Sequence, residues 1–426
     1  MHKTTIAVIS AALLAAATAA PAAAIPPTPL APRSNVEYVG GDNTSSGGHV
    51  VIEGKRMYVG AYGLGMKIYD ISDPESPVEI GSYMPGNLRA DAVPDAMEVG
   101  KRHIAVLNGT NRVPGTQRAD FLDVTDPENP EVLATFEGPE DGESHNGDIV
   151  DARKLWIPSG NSPGRGLRVY DLRPLLGKKP KAPKEIFAGD PWMMWQASPY
   201  RMGKPEGNPF THTHDVTIYL DYEMVMPRAA FGDNSLAGKK VKRDIALLAE
   251  GGSYASNTGN TGSIFVIDIT DPKNPVVLYR WLHETGGNHH PIRYHHEAQF
   301  LDSDPRVMLV TDEDLHNGCG ADGGMVAVRL SDTLTSGKEL SEWFIPMTTP
   351  APVCSAHVFS SHKNLVFMGS YNAGLQVIDY KNPAQPEQAG YFLAEGTTAW
   401  GAQYHKGLIY VGDFTRGLDV FRFTKD

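Results

Sequence analysis

The sequence predicts an all-β fold, a seven-bladed β-propeller whose blades have four strands each. Three observations carry this prediction. A strand-turn-strand frame recurs seven times, its copies follow one another at roughly 40–60 residues with one longer gap, and further strand candidates precede each copy. Repeats of this length with four short strands are typical of propellers rather than of helical solenoids.

The clearest copy of the frame is residues 65–81, GMKIYDISDPESPVEIG. One apolar run ends at Asp70, an Asp-Pro turn follows at Asp73, and a second apolar run starts at Val78. The β-branched, alternating run suits a half-buried strand. It ends at the turn because Pro fixes its own φ and Asp can bond its own backbone. The frame recurs at residues 120–130, 166–171, 263–275, 324–330, 374–386 and 417–421.

A second strand candidate, ending in small residues, lies upstream of most copies, as in RMYVG (56–60) and LVFMG (365–369). One more strand before it gives four strands per repeat. The long gap between Asp171 and Asp268 holds either an insertion or an eighth blade. We favour an insertion at about residues 189–208, because the stretch WMMWQASPYRMGKPEGN lacks strand alternation.

The ring is expected to close through an N-terminal strand. Residues 35–40 (NVEYVG) form a strand candidate without a frame of its own, and the last copy ends too near the C-terminus to have a fourth strand after it. Pairing the two completes the last blade and removes an exposed strand edge that would invite aggregation. The prediction is a single propeller domain over residues 35–426.

The N-terminal residues predict export. Residues 1–24 have a basic start, an Ala-rich apolar core and small residues at the end, which is typical of a Sec-type signal peptide. An uncleaved membrane anchor is the alternative, which the Ala-rich composition and Pro21 disfavour. Residues 25–34 form a Pro-rich linker. Because no other apolar run approaches membrane length, we expect a secreted or envelope protein without a membrane span after signal cleavage.

Charge narrows the range of partners. A formal net charge of -12 argues against binding to nucleic acid or to an anionic membrane surface. The partners that remain are a small-molecule ligand or an extracellular protein or glycan. The sequence contains no Walker loop and no dinucleotide fingerprint after a strand.

The two cysteines have two interpretations. Cys319 lies in the fifth repeat and Cys354 opens the sixth, so they can form a disulfide if both loops lie on the same face. The alternative is a thiolate metal ligand beside His316 or His357.

The histidines carry the functional prediction, because most stand where the innermost strand of a repeat begins. The first residues of such strands face the central channel, so propeller symmetry gathers them around one mouth. Imidazoles joined by a carboxylate suit a divalent transition metal, Cu, Zn, Mn or Fe. The predicted metal ligands are His49, His145, His214, His295, His296 and His357, and the predicted catalytic acid/base residues are Glu297 and His212.

Other polar residues extend or oppose this prediction. At the same strand positions the second repeat offers Asp91 and Asp95, and the seventh offers Trp400 and Gln403. The run at residues 312–314 (DED) has oxygens for Ca²⁺ but lacks the glycine spacing of an EF-hand loop, so it is expected to be a solvated turn. The histidines can also be structural, each bonding a neighbouring turn, with their recurrence reflecting repeat duplication.

The frames GMKIYDISDPESP, IFVIDITDPKNP and GLQVIDYKNPAQP resemble the LVIVD-repeat β-propeller family, exported proteins of bacteria and archaea. The resemblance covers nearly everything after the linker and is weaker at residues 166–171, 324–330 and 417–421. It implies a propeller but no agreed activity, so it assigns no site residue. More distantly, the His-rich channel is similar in kind to that of copper-dependent methanethiol oxidases, also called selenium-binding proteins, and to metal-dependent propeller lyases.

Two functional hypotheses follow. The first is a metal-dependent oxidase or lyase with His145, His214, His296 and His357 as ligands. The second is a non-catalytic extracellular binding propeller in which the histidines are structural. The insertion serves as a lid in the first hypothesis and as a contact surface in the second.

Overall fold

The computed structural model describes residues 33–86, 88–111, 117–137, 146–160, 166–201, 212–251, 262–283, 294–313, 319, 323–346 and 353–424. The predicted signal peptide and most of the predicted linker lie outside the described residues.

The described strands form seven four-stranded antiparallel sheets, which are the blades of a β-propeller. Blade 1 contains β2 (Val50–Glu53), β3 (Arg56–Ala61), β4 (Gly65–Asp70) and β5 (Val78–Tyr83). Blade 2 contains β6 (Leu88–Val99), β7 (Arg102–Asn111), β8 (Gln117–Asp123) and β9 (Glu131–Glu137). Blade 3 contains β10 (Asn146–Val150), β11 (Leu155–Ser159), β12 (Leu167–Asp171) and β13 (Lys184–Gly189), with a 3-10 helix, Asp151–Arg153, between its first two strands.

The other four blades follow the same order. Blade 4 contains β14 (His212–Val225), β15 (Lys240–Gly251), β16 (Ser263–Asp268) and β17 (Val276–Trp281). Blade 5 contains β18 (His295–Leu301), β19 (Asp304–Asp312), β20 (Met325–Leu330) and β21 (Gly337–Trp343). Blade 6 contains β22 (Phe359–His362), β23 (Leu365–Gly369), β24 (Leu375–Asp379) and β25 (Glu387–Phe392). Blade 7 contains β26 (Ala399–His405), β27 (Leu408–Asp413), β28 (Gly417–Phe423) and, from the N-terminus, β1 (Val36–Asp42).

Each repeated frame supplies the third strand of a blade, and the longer copies also supply the turn after it. The aspartate that ends the strand accepts a hydrogen bond from a backbone N–H two residues later, at 2.6 Å for Asp70, 3.0 Å for Asp123 and 2.9 Å for Asp268. This bond lets the side chain replace the next ladder bond, so the strand ends and the chain turns. The seven-bladed fold predicted from the frames is confirmed, and the eighth-blade alternative is wrong.

The ring closes as predicted. Strand β1 pairs antiparallel with β28, from Val36 opposite Phe423 to Asp42 opposite Leu418. The Asn35 side chain donates to the carbonyl of Ala389 in blade 6 at 2.7 Å. The N-terminal segment therefore joins the last blades, and β28 has no open edge.

The long gap between the third and fourth frames contains two features. A short helix, α1 (Pro191–Ala197), begins after Asp190, whose carboxylate accepts hydrogen bonds from the backbone N–H of Trp192 at 2.8 Å and of Met193 at 3.0 Å. Trp192 packs into the core between blades 3 and 4. The first two strands of blade 4 are also long, 14 and 12 residues. The rest of the predicted insertion, residues 202–208, lies outside the described residues.

Apolar side chains from facing sheets fill the spaces between blades. Between blades 4 and 5, for example, Ile264 and Leu278 pack with Phe300 and Met308. This sheet-on-sheet packing fixes the first strands of the blades around the central channel. In the part of the chain that the structure describes, no helix is long and apolar enough to cross a membrane.

Candidate metal centre

The first strand of each blade forms the wall of the central channel. These strands contact the first strands of neighbouring blades around most of the ring, and between blades 5 and 6 the Gln299 side chain donates to the carbonyl of Phe359 at 2.7 Å. All first strands start at the same end of the channel, because successive blades have the same strand order. We call this end the mouth.

Three predicted ligands meet at the mouth from three consecutive blades. His214 lies in β14 of blade 4, His296 in β18 of blade 5 and His357 just before β22 of blade 6. The ring centroids of His214 and His296 are 4.3 Å apart, and those of His296 and His357 are 4.0 Å apart. Each of the three residues is 1% exposed, so the imidazoles form a compact buried row. We call these three residues the histidine row.

Backbone carbonyls fix the orientation of two of these rings. The Nδ1 atom of His214 lies 3.1 Å from the carbonyl oxygen of His296, and the Nδ1 atom of His357 lies 2.6 Å from that of Trp400. A carbonyl oxygen only accepts hydrogen bonds, so each Nδ1 carries the proton and donates it. In the neutral form of either ring the Nε2 atom then carries the lone pair, which is the tautomer that a metal ligand needs.

A carboxylate completes the group. Glu313 follows β19 directly and is 5% exposed. Its Oε1 lies 3.6 Å from Nε2 of His357 and its Oε2 lies 4.0 Å from Nε2 of His296. These distances are too long for good hydrogen bonds, but ligand atoms that share one ion through bonds of about 2.1 Å lie about 3–4 Å apart. His296, Glu313 and His357 thus form a group that could hold a metal ion.

Aromatic rings surround this group. The Tyr371 hydroxyl donates a hydrogen bond to Oε1 of Glu313, and its ring meets the edge of His357 at 4.8 Å. Trp400 contacts His357 at 4.7 Å, and Tyr294 contacts His214 at 4.8 Å. Tyr371 has a φ of 46°, a strained value for a residue with a side chain. Backbone hydrogen bonds in both directions with Ala399 hold it there.

A second group shares the same imidazole. Asp215 offers an oxygen beside His214 and His296, and these three residues could also hold a metal ion. Asp215 accepts hydrogen bonds from the Asn146 side chain and from the backbone N–H of Val216, both at 2.7 Å. Both bonds reach the same oxygen, Oδ1. The two groups overlap at His296, with Asp215 on the His214 side and Glu313 on the His357 side.

A third group lies at the interface of blades 4 and 5, away from the histidine row. The His283 side chain is fully buried, with Nδ1 3.3 Å from a Glu339 oxygen and Nε2 3.7 Å from a Glu342 oxygen. A register shift in β21 places both glutamates on one face of the strand. His283, Glu339 and Glu342 could hold a metal ion as well, and none of the three is among the residues predicted from the sequence.

Carboxyl groups line the channel next to the histidine row. Burial raises the pKa of Asp95 to about 7. Burial, and then the nearby Asp95, Asp215 and Glu297, raises the pKa of Asp148 well above its usual range. Burial and the nearby Asp215 do the same to the pKa of Glu297. Asp95, Asp148 and Glu297 come from the first strands of blades 2, 3 and 5, so the channel wall there holds protons that exposed carboxylates would release.

The remaining predicted residues lie in different places. Glu297 accepts hydrogen bonds from the Gln299 side chain at 2.5 Å and from the backbone N–H of Phe359 at 3.1 Å, so it joins blades 5 and 6. His295 is buried against Trp281, with ring centroids 5.4 Å apart. His49 is half-buried before β2. Among the described residues, neither His295 nor His49 belongs to a group that could hold a metal. His145 and the side chain of His212 lie outside the described residues.

The prediction of a solvated turn at residues 312–314 needs correction. It is wrong for Asp312 and Glu313, because they are only 4% and 5% exposed. The signal that could have identified Glu313 is its place at the end of a second strand. Second strands run antiparallel to first strands, so their ends lie at the mouth beside the starts of the first strands.

Cys319 and Cys354 form a disulfide with their Cα atoms 4.9 Å apart. The two loops therefore lie on the same face, and the thiolate-ligand alternative is wrong.

Comparisons with known proteins agree with this architecture. The fold is that of a seven-bladed β-propeller. The model of the LVIVD repeat matches residues 46–85, which include all of blade 1. Residues 46–85 therefore match the LVIVD repeat, and at this repeat the resemblance predicted from the frames is confirmed. No curated protein matches the sequence.

Solved structures share the fold at low sequence identity. The β-propeller domain of Cps50 (Swd1) from Myceliophteria thermophila is 10% identical, with a TM-score of 0.55, and the match covers 92% of this chain and 99% of that one. A Bacteroides fragilis protein provisionally described as a 6-phosphogluconolactonase is 9% identical, with a TM-score of 0.52, and the match covers 82% of this chain and 85% of that one. At such identities the likeness concerns the fold alone.

Proposed function

We propose that this propeller binds one divalent transition-metal ion at the channel mouth through His214, His296, His357 and Glu313. The observation that carries the proposal is that His296 belongs to two overlapping groups that could hold an ion, one with Glu313 and His357 and one with His214 and Asp215. The Nδ1 atoms of His214 and His357 face backbone carbonyls, so Nε2 is the ligand atom that each neutral ring would offer. Three imidazoles with one carboxylate suit Cu, Zn, Mn or Fe.

The same ligand set supports chemistry at the metal. In a six-coordinate ion, four protein ligands leave two positions for water or a small ligand. A bound ion would polarise an oxygen ligand or exchange electrons, depending on its identity. The proposed activity is therefore that of a metal-dependent oxidase or lyase. The four residues would hold the ion, and the aromatic rings of Tyr294, Tyr371 and Trp400 would limit water around it.

Export forms a second part of the proposal. Residues 1–24 have the features of a signal peptide, and disulfides such as Cys319–Cys354 persist in oxidising compartments. The ligand would then be a small molecule, or an extracellular protein or glycan, that the mouth meets outside the cytoplasm.

The test is metal content by mass spectrometry on protein purified without a His tag. We expect about one Cu, Zn, Mn or Fe ion per wild-type chain. His296→Ala should lose it, and Glu313→Gln, which keeps the side-chain shape, should bind it about 10–100-fold more weakly. The control is His362→Ala, because the His362 side chain is 40% exposed and stacks on Tyr404.

Folded wild-type protein that contains no metal, and whose melting temperature does not respond to added metal, would overturn the proposal. The histidine row would then be structural, and the non-catalytic binding propeller would become the working hypothesis.

A further inference from the structure

The disulfide joins the two segments that carry Glu313 and His357. Cys319 lies in the connection between β19 and β20, which begins with Glu313. Cys354 lies in the connection between β21 and β22, shortly before His357. One covalent bond thus connects the metal-ligating segments of blades 5 and 6.

A backbone contact supports the same connection. The N–H of Ala356 donates to the carbonyl oxygen of Gly323 at 2.7 Å. Gly323 has a φ of +67°, and a Cβ atom there would collide with the carbonyl of Cys354. The two segments therefore approach so closely that only glycine fits, next to the residues that place Glu313 and His357.

We infer that the Cys319–Cys354 disulfide is a positioning element of the metal site, so that metal affinity depends on its redox state. This inference rests on the proposed function. With the bond intact, Glu313 and His357 are held in place before the ion arrives. Without it, metal binding must order the segment that leads to His357, and the entropy lost in doing so weakens binding.

The two sulfurs differ in access, which sets the course of reduction. Cys354 is fully buried, whereas Cys319 is partly exposed. A dithiol reductant would attack the Cys319 sulfur as a thiolate, and the Cys354 thiolate would leave and take up a proton. The second thiol of the reductant, losing its proton, then displaces Cys319 as a thiolate that is protonated in turn. Two electrons and two protons pass to the protein, and the reductant ends as a cyclic disulfide.

The experiment compares Zn²⁺ affinity, measured by competition with a chromogenic chelator, in the oxidised wild type and in Cys319→Ser/Cys354→Ser. Serine avoids a new thiolate ligand. We expect affinity to fall about 10–100-fold in the double variant. Wild-type protein reduced and then freed of reductant should show the same loss and recover on reoxidation.

A stability control separates positioning from general weakening. Val377→Ala removes buried core in blade 6 and leaves the disulfide intact, so it should lower the melting temperature without changing Zn²⁺ affinity. Equal or tighter binding in the double variant, or the same loss in Val377→Ala, would overturn the inference. If oxidised wild type binds no Zn²⁺, Cu²⁺, Mn²⁺ or Fe²⁺, the proposed function fails, which is a different result.

Discussion

At the scale of single residues, Asp95 shows how the channel wall stores a proton. Its carboxyl accepts hydrogen bonds from the backbone N–H of Ile149 in blade 3 at 2.5 Å and of Ala96 at 2.7 Å, yet burial raises its pKa to about 7. The unfolded chain would have a value near 3.9. Between these values the folded protein binds the proton and the unfolded chain does not, so this group lowers stability as pH rises from about 4 to 7.

Asp95→Asn should remove this dependence. We compare the free energy of unfolding of the variant with that of the wild type at each pH. This difference should change in favour of the variant by about 2–4 kcal/mol from pH 4.5 to pH 8, since one pKa unit corresponds to about 1.4 kcal/mol. Urea denaturation at the two pH values measures it. Glu98→Gln, an exposed change on the same strand, is the control. A constant difference between Asp95→Asn and wild type at both pH values would contradict the argument.

At the scale of elements, the small residues that end the second strands have a structural reason. A Cβ atom on Gly60 would lie 1.9 Å from the carbonyl oxygen of Ala92 in the next blade, and one on Gly412 would lie 1.6 Å from that of Gly48. The backbones of neighbouring blades touch at these points, close to the mouth. The sequence pattern therefore encodes blade-to-blade contact as well as strand ends.

Gly60→Ala should destabilise the protein by about 3 kcal/mol, because the neighbouring backbone cannot move as easily as a side chain. Thermal or denaturant unfolding measures the loss. The matched control is Gly177→Ala, at an exposed turn where the nearest atom to a new Cβ lies 3.6 Å away. If Gly60→Ala and Gly177→Ala both lower the free energy of unfolding by the same small amount, the neighbouring blades move apart easily at Gly60.

The elements also explain what the sequence could and could not predict. Strand ends, turns and ring closure repeat in the chain, so the frames predicted them. His214, His296 and His357 were found because they occupy the same position in three repeats. Glu313 and Tyr371 were not, because each follows a second strand and lies outside the first-strand positions that the prediction used. Their contacts with the histidine row also depend on how two blades face each other.

At the scale of the whole molecule, the ring depends on a strand from the other end of the chain. Strand β1 covers β28, and the Asp42 carboxylate at its end accepts hydrogen bonds from Lys67 at 2.9 Å and Tyr69 at 2.6 Å, both in blade 1. The N-terminal strand therefore links the first blade to the last. The proposed metal ligands come from three blades. Their relative positions are therefore maintained only if the ring stays closed.

Deleting residues 1–42 should leave blade 7 with three strands and an exposed edge. We expect the melting temperature to fall by on the order of 10 °C and the protein to associate as its concentration rises. Calorimetry and light scattering measure the two effects, and a chain that starts at residue 33 is the control because it keeps β1. If both chains melt alike and stay monomeric, closure by β1 does not stabilise the propeller. If the chain without residues 1–42 also loses metal and the chain that starts at residue 33 does not, metal binding by the histidine row depends on ring closure.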